Sequence, residues 1–312
     1  MKTSRVAEVG TASIREVRSS IPTLLMVVPL LVGAAFAQQK LSLGDNAALR
    51  YYAAFAQMQD YAITDAEAKK LNGILDGPVP YDDSQYKDLV EKNKPALETL
   101  ARGAALPNCD WGLDYIGEDT PVDYARNALA LGRLNVLYAF HLMIAGDKAA
   151  AVSAIKAGLR FSQDVANGGS LFATLAAKSL LVTHLRAIAF VLHTGELSTA
   201  QRSVLQKAVA HLGADALDWP SAARRDLEAL RLRYSNDPQA SAALTRTISL
   251  YVAGLSASKA PTMAELHDLP PQLASLLPNP HRVWEEKQDL SNHLAQARAL
   301  LQRAKEESGG PS

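Results

Sequence analysis

The run Leu171–Leu192 is apolar on nearly every side, and any fold that contains it has to surround it. An ordinary surface helix buries one stripe and leaves the rest to water; a helix without a polar face needs neighbours all round. Lys178, His184 and Arg186 fall inside the run and argue against a membrane span, where charge is costly. The stretch therefore reads as the central helix of a larger helical body.

Start and stop signals for further helices succeed one another along the chain. Asp45 is placed to cap a helix over Ala47–Gln59, Thr64-x-x-Glu67 is a capping box, and Gly77 closes that helix. A helix from about Ser84 should break at Pro95, with Asn93 capping a fresh turn that runs to Arg102. Thr120-Pro121 opens a helix to Ala145, and Asp147 caps the next, to about Ala166. After Gly168-Gly169-Ser170 comes the central helix; Ser198-x-x-Gln201, Pro220 and Asp237-Pro238 open three more. Leu290, Leu294, Ala297, Leu301 and Ala304 form a packing seam on a last helix from about His281. No run alternates with period two over a strand's length.

The first 37 residues carry a different kind of signal. Lys2, Arg5, Arg15 and Arg18 lead into an apolar run, Ile21–Phe36, that ends at Ala35-Phe36-Ala37 before Gln38. A basic lead, an apolar core and an A-x-A site are the marks of a cleaved secretory signal peptide. The reading is export to the periplasm or the extracellular space, with no transmembrane span after cleavage. Pro22 and Pro29, and a length below that of a spanning helix, speak against an uncleaved anchor.

Cleavage would remove four basic and two acidic side chains and take the formal charge from 0 to −2. Such a chain has no electrostatic footprint for nucleic acid and no basic run for an anionic membrane surface. Cys109 is the one cysteine, so packing rather than intrachain disulfides holds the fold, and Cys109 is either free or pairs between chains. Three Trp and six Phe are too few for an aromatic-rich sugar-binding β-sandwich.

Residues 131–165 resemble a tetratricopeptide-type helical hairpin. Gly146-Asp147 makes the turn, while Ala151, Ile155 and Gly158 fall where such repeats place small, bulky and small residues. Asn135 stands where the family commonly has an aromatic. Gly195–Leu212 matches more loosely. The wider pattern, with Asn46–Tyr52 and Cys-Asp-Trp-Gly (Cys109–Gly112) before a long helix, resembles exported bacterial all-helical proteins of unassigned function. These resemblances imply a solenoid scaffold that binds partners on a concave face.

Polar and aromatic residues gather outside helices at one place, Pro107–Asp123. Asp110, Asp114, Glu118, Asp119 and Asp123 meet no Lys or Arg there. A long inter-helical loop binds something or is packed down. Trp111 beside Asp110 offers an aromatic face next to an anion, which suits a cationic or sugar-like ligand; the alternative is a loop pinned by Trp111 and Tyr115, with Asp110 capping a turn. Calcium fits poorly, since an EF-hand register from Asp110 puts Gly112 third and Pro121 twelfth. Asp110 beside Cys109 raises rather than lowers a thiol pKa. His184 and His193, nine apart on a helix, point to opposite sides, and His141 reads as a hydrogen-bonded core histidine. No metal or cofactor is implied. Arg225, in the stretch Arg224–Arg233, is a candidate partner for Asp110.

The sequence thus predicts a signal peptide over 1–37 and an all-α domain over 38–312, with a Pro-rich connector at 261–280 and a C-terminal packing helix at 281–307. Its architecture is antiparallel helical hairpins stacked as an irregular tetratricopeptide-like solenoid or an orthogonal bundle, with about nine or ten helices. The expected role is a binding scaffold for a protein or envelope component, with ligand-binding candidates Cys109, Asp110, Trp111, Asp114 and Tyr115. The other reading is an enzyme, a hydrolase using Asp110 or Asp114.

Overall fold

Short polar side chains open most of the helices. Thr64, Asp82, Asp147, Ser170, Ser198, Asp218 and Asp237 each accept a backbone N–H from the first turn that follows, satisfying donors that a helix start leaves without partners. Thr64–Glu67 and Ser198–Gln201 close as full capping boxes. A computed structural model describes residues 43–60, 64–77, 79–114, 122–213, 215–257, 269 and 271–308. The expected signal peptide over 1–37, Thr120-Pro121 and most of the expected Pro-rich connector lie outside the described residues.

The helices are α1 (Ala47–Gln57), α2 (Asp65–Asp76), α3 (Asp83–Ala104), α4 (Asp123–Ile144), α5 (Lys148–Ala166), α6 (Leu171–Thr194), α7 (Thr199–His211), α8 (Trp219–Arg233), α9 (Pro238–Ser256), the single turn α10 (Pro271–Ala274) and α11 (Pro280–Ser308). Among the described residues there is no strand, so the fold is all-α.

Two local expectations are corrected. The cap of α1 is Asn46 rather than Asp45: its Oδ1 accepts from Ala48 N at 3.1 Å. The helix around Pro95 is not interrupted. α3 runs through it, because the face carrying Val90, Ala96, Leu97 and Leu100 is buried and the packing outweighs one lost ladder bond. Asn93 is therefore no cap. It is fully buried in mid-helix, accepting from Gln59 N at 2.7 Å and donating to Gln59 O at 2.9 Å. It latches the chain leaving α1 onto α3.

The apolar run forms α6, which packs against α2, α4, α5, α8 and α11. That surround explains why it has so little polar face. By length and composition α6 is apolar enough to cross a membrane, yet its charged side chains are tied within the fold. Lys178 donates to Glu286 at 2.7 Å and also pairs with Asp289, both on α11. The seam residues Leu290, Leu294, Ala297 and Leu301 are buried on α11. All described residues belong to one compact unit.

α4 and α5 form the hairpin expected at Gly146-Asp147, and α6 lies against both. All three helices meet at Gly158, where an added Cβ would come within 2.0 Å of His184 Nε2 and 2.6 Å of Asn135 Nδ2. Glycine is the residue that fits.

Candidate functional site

The last turn of α5 is the hub of the region that the Cys109–Asp114 segment joins. The final carbonyls of a helix have no intrahelical donors. Here side chains from elsewhere supply them: Trp111 Nε1 donates to Asp164 O at 2.7 Å, Cys109 Sγ to the same oxygen at 3.7 Å, and Tyr124 Oη to Val165 O at 2.8 Å. The loop is also tied to the start of α1. Asn46 Nδ2 donates to Asp110 O at 2.8 Å, its Oδ1 accepts from Asp110 N at 2.9 Å, and Ala47 N donates to Asn108 O at 2.8 Å.

Trp111 is 4% exposed. Its ring stacks on Tyr124 at 4.0 Å between centroids and meets Tyr51, Tyr52 and Phe55 at 5.8, 5.3 and 6.2 Å. The indole is thus the centre of an aromatic cluster that holds the loop down. Asp110 and Asp114 are exposed. Asp110 accepts from Gly112 N at 2.9 Å, which makes a tight Asx turn. Tyr115 lies outside the described residues, as do Glu118 and Asp119, and Asp123 is the first residue of α4. The structure therefore brings Cys109 and Trp111 together on one carbonyl and turns the Asp110 carboxylate back onto its own loop.

Burial pushes the Cys109 thiol well above its ordinary value, and the Asp164 and Asp110 carboxylates push the same way. The side chain of Asp164, 1% exposed, accepts from Tyr51 Oη at 2.7 Å and pairs with Arg160 Nε at 3.1 Å. Burial raises its carboxyl, while the Tyr51 hydrogen bond and the Arg160 charge pull it back. Tyr51 is raised by burial first and by Asp164 next. A carboxyl held this way has both oxygens engaged in holding the fold.

On the other side of Asp164 a cavity of about 530 Å³ opens between α5, the α5–α6 turn and the start of α8. Arg160, Asp164 and Gly169 line one wall; Asp215, Asp218 and Arg225 line the other. The groove adjoins the loop, since Arg160 Nη2 donates to Pro107 O at 3.1 Å and Asn167, also in its wall, donates to Cys109 O at 3.4 Å. Gly169 has φ +75°, a left-handed turn position, and an added Cβ there would lie 1.9 Å from Arg225 Nη1. The guanidinium thus rests directly on the turn. Among the described residues no bond joins Arg225 to Asp110; Arg225 faces the α5–α6 turn instead.

Sequence reasoning missed Arg160, Asp164, Asp215 and Asp218. The one local signal was the Arg160-x-x-x-Asp164 spacing, which puts opposite charges on one helix face. The histidines occupy other places. His184 is fully buried and His193 exposed, while His141 Nδ1 lies 2.9 Å from Asp83 Oδ1. Among the described residues no group of three or more His, Cys, Asp or Glu side chains is placed to hold a metal ion. No protein-family model matches the chain, and no curated protein or solved structure is significantly similar to it.

Proposed function

We propose that the chain is an exported, non-catalytic helical scaffold that binds a protein or envelope component through the groove between α5 and α8. The observation that carries this reading is the groove itself: about 530 Å³, walled by rigid helices, with a guanidinium at Arg225 and carboxylates at Asp215 and Asp218. Its size is that of a ligand site, and its polar groups come from helix walls and short turns. The hairpin α4/α5, which resembles a tetratricopeptide-type unit, supports a scaffold role. Against a hydrolase using Asp110 or Asp114, both side chains are exposed and neither lines the groove, and Asp110 is engaged with Gly112 N.

The test is cross-linked capture from the cell's own envelope fraction, using the full-length chain and an Arg225→Glu variant of equal helicity. A defined partner on wild type that is lost with Arg225→Glu is expected; an identical catch from both removes the groove from the reading. Trp111 is unsuitable for this comparison, because truncating a buried indole unfolds the loop it anchors. Export is tested separately by fractionation and amino-terminal sequencing. A mature start at Gln38 is expected, and a cytosolic chain retaining Met1 rules out secretion.

A further inference from the structure

α8 presents charges of both signs to the groove. Asp218 caps the helix, Ser221 follows at i+3 and Arg225 at i+7, so all three share the face that lines the cavity. Seven residues of helix span about 10 Å along the axis. The same lining includes the apolar Ala216, Leu217 and Ala222 and the polar Gln163, Asn167, Thr174 and Ser221.

The charge inventory is uneven in a useful way. Arg160 is committed to Asp164 and to Pro107 O, and Lys287 approaches Asp215 at 3.4 Å while donating to Leu255 O. Asp218 Oδ1 accepts from Ser221 N at 3.1 Å. Among the described residues, the Arg225 guanidinium has no carboxylate partner, though it lies in the cavity wall against the backbone of Gly169. A guanidinium fork of this kind matches a carboxylate in two-point geometry.

A lone inorganic anion would use Arg225 and be opposed by Asp215 and Asp218. An extended chain covers about 3.3–3.6 Å per residue, so three residues match the axial rise from Asp218 to Arg225.

We infer that the groove binds the carboxyl end of a peptide chain. Its terminal carboxylate pairs with Arg225, two small side chains lie on Ala222 and Leu217, and the nitrogen of the third residue from the end donates to Asp218 and Asp215. This inference rests on the scaffold reading above and names the chemistry of its ligand.

The probe is tri-alanine, titrated against the full-length chain by calorimetry, beside tri-alanine amide, N-acetyl-tri-alanine, acetate and inorganic phosphate. Saturable binding of tri-alanine is expected. Amidation or Arg225→Gln should weaken it by about tenfold or more, the effect of losing one charge-assisted pair. Loss on N-acetylation assigns a free short peptide and tolerance of it assigns the tail of a longer chain; both support the inference. Equal binding of acid and amide overturns it, as does acetate or phosphate binding as tightly as tri-alanine. No saturation by about 10 mM also overturns it, since weaker binding falls below the millimolar range of a specific site. Because Arg225 is exposed, Arg225→Gln should fold. If envelope capture is lost with Arg225→Glu while tri-alanine fails to bind, the groove stands and the peptide end falls.

Discussion

Nδ2 of Asn135 lies 3.2 Å from Nε2 of His184, in the heart of the contact between α4, α5 and α6. The Nδ1–H of His184 donates to Leu180 O at 2.8 Å, which fixes the tautomer: Nε2 bears the lone pair and accepts from Asn135. The second amide hydrogen of Asn135 goes to Ala154 O at 2.9 Å. Ser162 Oγ donates to Gly158 O at 2.6 Å and faces Nδ1 at 3.3 Å. Buried Asn135 thereby has both amide hydrogens bonded, and the network fits around the bare Cα of Gly158.

Gly158→Ala should cost roughly 2–3 kcal/mol, because its Cβ enters space held by His184 and Asn135 and the helices must separate. Urea denaturation of both proteins measures it. A loss under about 0.5 kcal/mol would mean that the contact gives way freely.

His184 links this network to acid stability. Burial lowers its pKa from 6.5 to about 4, so the unfolded state takes up its proton first as pH falls. The stabilisation is complete above pH 6.5, declines between 6.5 and about 4, and is exhausted below. The difference is worth about 3 kcal/mol over that window. Stability curves of wild type and His184→Gln should therefore converge from pH 7 to pH 4; a constant gap between them contradicts the assignment.

Tyr51→Phe and Asp164→Asn should interact in a double-mutant cycle by about 1–2 kcal/mol, since Tyr51 Oη donates to a buried carboxylate that Arg160 also holds. Additive losses would show that the 2.7 Å bond contributes nothing specific.

Cys109 should react slowly with a thiol reagent at neutral pH in the folded protein and rapidly in urea, because burial keeps it a thiol. Its rate is measured by a colorimetric disulfide reagent. A native rate matching the unfolded one would place the sulfur in solvent.

Charge exchange between Asp110 and Arg225 should show no coupling beyond about 0.5 kcal/mol, as the two side chains belong to different contacts. Rescue of Asp110→Arg by Arg225→Asp, read from melting temperature, would restore the direct pairing.

Local chemistry was readable from the sequence wherever a side chain and its target lie within a turn of each other. Thr64 and Glu67, or Ser198 and Gln201, announce their helix starts because every atom of the cap is nearby. Leu171–Leu192 announced a surrounded helix by having no polar face. Pro95 misled, since its cost is local while the burial that offsets it comes from α1 and α4, across the fold. Asp164 was silent for the same reason. Nothing near it in sequence reveals that Tyr51, Cys109 and Trp111 converge on that turn, and so the aromatic face beside Asp110 read as a ligand platform.

The Tyr51–Asp164 bond joins positions 113 residues apart. At about 5–20 residues per second, synthesis brings Asp164 out of the ribosome roughly 6–23 s after Tyr51. Until Asp164 emerges, Tyr51 and, once made, Trp111 have no helix end on which to close. α1, which packs chiefly on α3, can dock there before its bond to α5 forms. A holdase that recognises aromatic segments has its opening in that delay, before the last turn of α5 emerges and the clasp shuts.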